Sequence, residues 1–312
     1  MPDHSTTQSA RTVLLVRPAR FAFNAETAAS NRFQRALAGL SADEIQQQAF
    51  AEFDNVVRQL RARQVNVLEI DDTPEPPKPD AVFPNNWLST HPDGRVLLYP
   101  LHAPNRRPER RMDILTTLAE RFQLCEIVDF STHEAENHFL EGTGSIIFDH
   151  CHRLAYAGLS PRTDAGLLGE VAGLLDYRPL VFRATDAQGH AIYHTNVMMC
   201  IGAKFAVLCL ESIRDEAEQQ AVVESLTTTG HEIIPITLPQ VARFAGNMLT
   251  LQPAAGRELL ALSQSAFEAL TPEQRTTLER HCELVPLPIP TIETIGGGSV
   301  RCMLAEIFLP EL

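Results

Sequence analysis

Four times along the chain, two short apolar stretches joined by a turn are followed by a helical stretch and a third apolar stretch. The first copy opens in AVFPNNWLSTHPDGRVLLYPL, where two extended runs flank the turn signal Pro92-Asp93-Gly94; PERRMDILTTLAERF and CEIVDF then read as helix and strand. The order returns in SIIFDHCHRLAYAGL, PRTDAGLLGEVAGLLD and PLVFRAT, and again in VMMCIGAKFAVLCL, DEAEQQAVVESLTTTG and HEIIPIT. A fourth copy begins at NMLTLQP, is expected to be helical through RELLALSQSAFEALTPEQRTTLERHC, and ends at ELVPLPI. The fifth is divided between the termini. SVRCMLAEIFL supplies its first strand, while TVLLVRP, the helix ADEIQQQAFAEFDNVVRQLRARQ and VNVLEI come from the start. Ser41 and Glu44 have the spacing of a capping box for that helix. A module this small cannot bury its sheet alone, so the modules are expected to stack side by side. The expected fold is α/β, a five-fold pseudosymmetric propeller of ββαβ modules closed by pairing of the terminal segments. It occupies one domain, 11–312, behind a disordered tail over 1–10, with DDTPEPPKPD as a Pro-rich connector.

The phase of the repeat is informative. Asn86, Glu141, Asn196, Asn247 and Cys302 all fall at or just before the first strand of a module, and in such a ring equivalent positions converge on the axis. Asn247 taken alone reads as a strand-end cap. Gly296, Gly297 and Gly298 stand just ahead of Cys302; three glycines in a row suit unusual torsions or close approach.

A net charge of −13 argues against nucleic-acid or anionic-membrane partners, which require clustered Lys and Arg. A small molecule is the expected partner, and self-association into a homo-oligomer is left open. MPDHSTTQSA lacks a basic, apolar leader, and no run approaches the roughly 20 apolar residues of a membrane span, so the expected location is the cytoplasm. The six cysteines include no C-x-x-C pair, which disfavours disulfides and a structural zinc site. His190 and His194 are four apart, but HAIYHTNVMMCIG reads as strand, where such residues lie about 13 Å apart. DHCHR, from Asp149 to Arg153, reads as a hairpin turn. No metal is therefore expected.

A cysteine with an ordinary pKa of about 8.5 needs help to act as a nucleophile. His194 offers it, and Glu141 in FLEGTGS would orient the imidazole and hold it as imidazolium beside a thiolate. DAVFPNNW, FLEGTGS, LSPRTD, YHTNV and GGGSVRC, in this order, resemble the guanidino-group-modifying or amidinotransferase (pentein) superfamily of arginine deiminases, dimethylarginine hydrolases and amidinotransferases. With RPARFAFNAETAASNRFQ included, the pattern is most similar to its citrulline-utilisation (citrulline ureidase-like) branch.

The resemblance implies covalent catalysis. Cys302 would attack the central carbon of a guanidino or ureido group, His194 would protonate the leaving nitrogen and then activate water, and Glu141 would orient His194. Asp80 would bind substrate nitrogens, and neither cofactor nor metal is required. Where guanidinium-using relatives carry carboxylates, this chain has Asn86 and Asn196, which favours a neutral ureido group and hence citrulline. Arg106 and Arg162 are candidates for the substrate carboxylate, whereas Arg107, Arg110 and Arg111 read as exposed helix-start residues. Asn24 and Asn31 lie in a loop placed to cover the cleft. The competing expectations are a guanidine hydrolase, either arginine deiminase or dimethylarginine hydrolase, and a catalytically silent amino-acid-binding protein.

Overall fold

A computed structural model describes residues 7–37 and 39–312. Near the N-terminus, β1 (Thr12–Arg17) pairs in parallel with β2 (Asn66–Asp71), the two being joined through the helix Ala42–Ala62. That helix starts at Ser41, whose Oγ accepts from the Glu44 backbone N while the Glu44 carboxylate accepts from Ser41 N, as the capping box predicts. Ala49, Phe53, Val56, Val57 and Leu60 recur at helical spacing and are buried against Val13 and Leu15 of β1. Full burial of one such Val, Leu or Phe side chain stabilises by about 1.5–3 kcal/mol.

The internal copies follow one plan, an antiparallel hairpin whose second strand pairs in parallel with a strand beyond the helix. They comprise β3 (Leu88–Thr90), β4 (Arg95–Leu98) and β5 (Glu126–Asp129); β6 (Ile147–Asp149), β7 (Leu154–Gly158) and β8 (Arg178–Phe182); and β9 (Met199–Ile201), β10 (Phe205–Leu208) and β11 (Glu232–Pro235). The fourth contains β12 (Leu249–Leu251), β13 (Leu259–Ser263) and β14 (Glu283–Leu287). Finally β15 (Ala305–Ile307) pairs antiparallel with β1, so the last strand of the chain completes the first sheet. The described residues thus form five three-stranded sheets.

Three expectations are corrected. RELLALS is not helical: Leu259–Ser263 is the buried middle strand β13, because it is flanked by β12 and β14 and its apolar side chains are covered on both faces. SVRC is not strand either; Val300–Met303 forms a short helical turn, and pairing begins only at Ala305. The tail does not extend to residue 10. Gln8, Ser9 and Ala10 are buried, with Gln8 Nε2 donating to Phe148 O at 2.9 Å and Ala10 bridging Leu251, while residues 1–6 lie outside the described residues. Neighbouring sheets touch: Thr90 Oγ1 on β3 donates to Glu306 O on β15 at 3.0 Å, and Gln8 Nε2 also reaches Ile201 O on β9 at 3.4 Å. No helix among the described residues is long and apolar enough to cross a membrane.

Candidate active site

Short turns lead into the first strand of each sheet, and they carry the polar residues picked out by the repeat. Asn86 ends the turn Pro84–Asn86 before β3, Glu141 precedes the turn Gly142–Ser145 before β6, and His194 and Asn196 flank the start of Thr195–Val197 before β9. Asn247 precedes β12, and Cys302 sits in Val300–Met303 before β15. The strand expected over HAIYHTNVMMCIG therefore begins only at Met199. His190 is exposed and bonded to Asp186, away from the buried His194.

Cys302 is buried, and its Sγ receives Asn247 Nδ2 at 3.3 Å and Asn196 Nδ2 at 3.5 Å. Asn247 is held by Arg301 N, which donates to its Oδ1 at 3.1 Å, and by its own bond to Asn196 O at 3.0 Å. It belongs to the sulfur's surroundings, so its reading as a strand-end cap is corrected. Two amide N–H groups aimed at one sulfur suit a sulfur that carries negative charge.

The glycine run admits this packing. Gly297 lies in the left-handed region at φ 63°, and its carbonyl accepts from Tyr193 Oη at 2.6 Å and Asn31 Nδ2 at 3.0 Å. A Cβ on Gly296 or Gly298 would stand 2.8 or 2.9 Å from the Phe83 ring, inside any ordinary contact.

His194 Nε2 bonds Glu141 Oε2 at 2.7 Å with both side chains buried. The carboxylate also receives Arg162 Nη1 at 3.3 Å and His102 N at 2.9 Å. Burial works to raise the Glu141 pKa, but Arg162, His194 and Arg106 together hold it well below the usual carboxylate range. For His194 burial wins over the Glu141 bond and pushes its pKa down to about 4. Burial and the charges of Arg162 and Arg106 thus work against the imidazolium expected beside a thiolate, while the Glu141 bond works for it.

His194 and Cys302 line one narrow cavity together with Asp80, Asn86, Arg106, Arg162 and the three glycines. Asp80 Oδ2 accepts from Asn24 Nδ2 at 2.7 Å, while its Oδ1 is buried with no protein partner. Asn196 Oδ1 is a second such acceptor. Asn24 both caps the helix Ala25–Ala28 and anchors Asp80, so it acts on the cleft through that carboxylate. Asn31 and Gln34 bond the carbonyls of Gly297 and Ile295, laying the 24–34 loop over the glycine run.

The two arginines are engaged by the protein. Arg106 makes a bidentate pair with Glu109 at 2.9 and 2.8 Å and donates to Asn86 Oδ1 at 3.0 Å. Arg162 reaches Ser30 Oγ at 2.7 Å and Thr27 O at 3.1 Å besides Glu141, and its guanidinium lies 4.9 Å from the centre of the Tyr193 ring. Arg110 and Arg111 pair with Glu134 and Asp113 outside the cleft. Glu109 and Tyr193 were missed from sequence. The first was visible as an acid three residues beyond Arg106, and the second as the neighbour of His194.

The family model described as N,N dimethylarginine dimethylhydrolase, eukaryotic, matches residues 17–309. The chain belongs to that family. Members of the dimethylarginine dimethylhydrolase type are hydrolases acting on carbon–nitrogen bonds, in keeping with the pentein resemblance. Among solved structures, the N-terminal domain of ArgZ covalently bound to a reaction intermediate is 15% identical with a TM-score of 0.74, the alignment covering 96% of this chain and 98% of that one. A cysteine-to-serine form of the same domain, bound to substrate and described as an arginine dihydrolase from Cyanobacteria, is 16% identical with a TM-score of 0.73 and coverage of 96% and 99%. A dimethylarginine dimethylaminohydrolase adduct with S-methyl-L-thiocitrulline is 15% identical with a TM-score of 0.64, covering 95% of this chain and 99% of that one. At these identities the likeness is one of fold. No curated protein matches the chain.

Proposed function

We propose that this member of the dimethylarginine dimethylhydrolase family is a thiol hydrolase that cleaves the ureido carbon–nitrogen bond of citrulline. The observation that carries the reading is the pair of amides that meet the sulfur. The groups bonded to Cys302 Sγ are amides, and the charged side chains lining the cavity are Arg106 and Arg162 against Asp80. Glu109 and Glu141 match those arginines, and a neutral ureido group meets amides able both to donate and to accept.

In this scheme neutral His194 takes the Cys302 proton as sulfur attacks the ureido carbon. It returns that proton to the departing δ-nitrogen as the carbon–nitrogen bond breaks, releasing ornithine and leaving a carbamoyl thioester. His194 then takes a proton from water, which attacks the thioester carbon. The thiol is regenerated, and the released carbamate decomposes to carbon dioxide and ammonia. Asp80, with its unpartnered Oδ1, accepts from substrate N–H groups. Glu141 orients His194, while Arg162 and Arg106 position Glu141 and Asn86. We also infer that the five sheets close into a ring within one domain from about residue 8. The Ala10–Leu251 bridge, the Thr90–Glu306 bond and the shared Gln8 support closure.

A guanidine hydrolase is the second reading, favoured by the description of the matching family and by the carboxylate of Asp80 in the cleft. Incubation with citrulline, arginine and methylated arginine, followed by amino-acid analysis, separates the two. Ornithine released from citrulline is the expected result; citrulline released from arginine or its methyl derivative, with citrulline itself inert, overturns it. A covalent adduct on Cys302, read by mass spectrometry during turnover, excludes a silent binding protein.

A further inference from the structure

The turn read from DHCHR is a hairpin between β6 and β7, yet the fold brings a third residue to it from another module. Asp149 ends β6, opposite the end at which Glu141 stands, and is fully buried. His152 donates its backbone N to Asp149 Oδ1 at 3.0 Å, and its Nδ1 lies 3.0 and 2.9 Å from the two carboxylate oxygens. His231, buried in the connection between the helix Glu216–Thr228 and β11, directs Nε2 at Asp149 Oδ2 from 3.8 Å.

The tautomer of His231 follows from its other side. Nδ1 lies 2.8 Å from Thr229 Oγ1, and the threonine hydroxyl proton is already directed at Ser225 O and Leu226 O, each 3.0 Å away. In the tautomer where Thr229 Oγ1 accepts, Nδ1 carries the hydrogen and Nε2 presents a lone pair towards Asp149 Oδ2. Two acceptors facing one another at 3.8 Å make no hydrogen bond. The separation does suit an ion between them, since two ligands about 2.1 Å from zinc stand about 3.4 Å apart at a tetrahedral angle and farther at wider ones.

We propose that Asp149, His152 and His231 form a divalent transition-metal site that joins the β6–β7 hairpin to the module of β11. The ligand atoms of all three lie within 4.8 Å of one another. Binding requires His152 to move its ring hydrogen from Nδ1 to the solvent side at Nε2, which its exposed position permits. Two imidazole nitrogens and one carboxylate, with water completing the set, suit zinc, cobalt or nickel rather than calcium or magnesium. Thr229 is the outer partner that orients the His231 ring.

Cobalt(II) titration, read by visible d–d absorption and metal analysis, tests the site. The background is Cys302→Ser, His133→Ala, which removes the thiol and the partly exposed His133, Glu136, His138 group, a separate candidate for binding. One equivalent per chain is expected, lost in His231→Gln and in His152→Ala and weakened about 10–100-fold in Thr229→Val. His152 is a surface residue, so its variant tests the site even where His231→Gln disturbs folding. Absence of binding in the background protein, or unchanged stoichiometry and affinity in His152→Ala and Thr229→Val, overturns the proposal.

Discussion

Gly144→Ala adds one methyl group to the turn before β6, and the structure specifies what that methyl meets. Its Cβ would lie 2.5 Å from Asn86 Nδ2 and 2.8 Å from both His194 Cε1 and Nδ1. Ordinary contact begins near 3.4 Å, so the amide must retreat by about 0.9 Å (3.4 less 2.5) and the ring by about 0.6 Å (3.4 less 2.8). Neither is free to swing aside. Asn86 is bonded by Arg106 at 3.0 Å, and His194 is held by Glu141 at 2.7 Å with the Tyr193 ring centred 4.6 Å away. Displacement of catalytic groups by about 1 Å costs about 10²-fold, or about 2.7 kcal/mol in the barrier. Stability should move less, because alanine gains about 1 kcal/mol over glycine in a helical turn and overpacking costs about 1–3 kcal/mol. The expected result is a loss of about 10²-fold in kcat/KM for amino-acid release, with the melting temperature changed by only a few degrees. Gly169→Ala is the control: nothing lies within 4 Å of its Cβ, so it should stabilise the helix Ala165–Leu175 by about 1 kcal/mol and leave turnover alone. Turnover within a few-fold of wild type in Gly144→Ala would refute the packing argument.

Cys302→Ser should abolish turnover, by several powers of ten, with a melting temperature close to wild type; retained activity in a steady-state assay removes the cysteine from the mechanism. Asn196→Asp places a charge at the buried Oδ1 that has no partner, so calorimetry in the Cys302→Ser background should shift the ratio of arginine to citrulline affinity towards arginine by about 1–3 kcal/mol. An unchanged ratio counts against the ureido reading, while Asn86→Asp should shift it less, since Arg106 already bonds that position. Glu293, which accepts from Ser299 Oγ at 2.5 Å, has its pKa pushed up by burial to about 7. An unfolded Glu titrates near about 4.3, so the folded chain binds more protons between these values and loses stability as pH rises through about 7. Glu293→Gln should flatten the decline in melting temperature from about pH 4.5 to about pH 7, and an equally steep decline in the variant assigns the effect elsewhere.

The repeat was legible because each module carries its own local signals. Pro92-Asp93-Gly94 turns a hairpin, Ser41 with Glu44 starts a helix, and Phe53, Val56, Val57 and Leu60 mark the helix face that is buried. The same phase placed Asn86, Glu141, Asn196 and Cys302 ahead of first strands, where the chain does hold them. Local pattern failed at RELLALS, since a short apolar run reads equally as helix or strand until its neighbours are known, and β12 and β14 decide the matter. It failed at Asn247 for a related reason, because a strand-end amide bonds a sulfur only if another module brings Cys302 to within 3.3 Å. Arg106 and Arg162 were recognisable as cations for the cleft, but their partners at Glu109, Asn86, Ser30 and Glu141 were not. His194 was recognisable as the proposed base, whereas the lowering of its pKa depends on how much water the surrounding residues exclude. Periodicity, caps and turns act between residues a few positions apart and are written in the chain. Charge state, and the meeting of Asp149 with His231, depend on distances and desolvation that arise only when separate modules pack together.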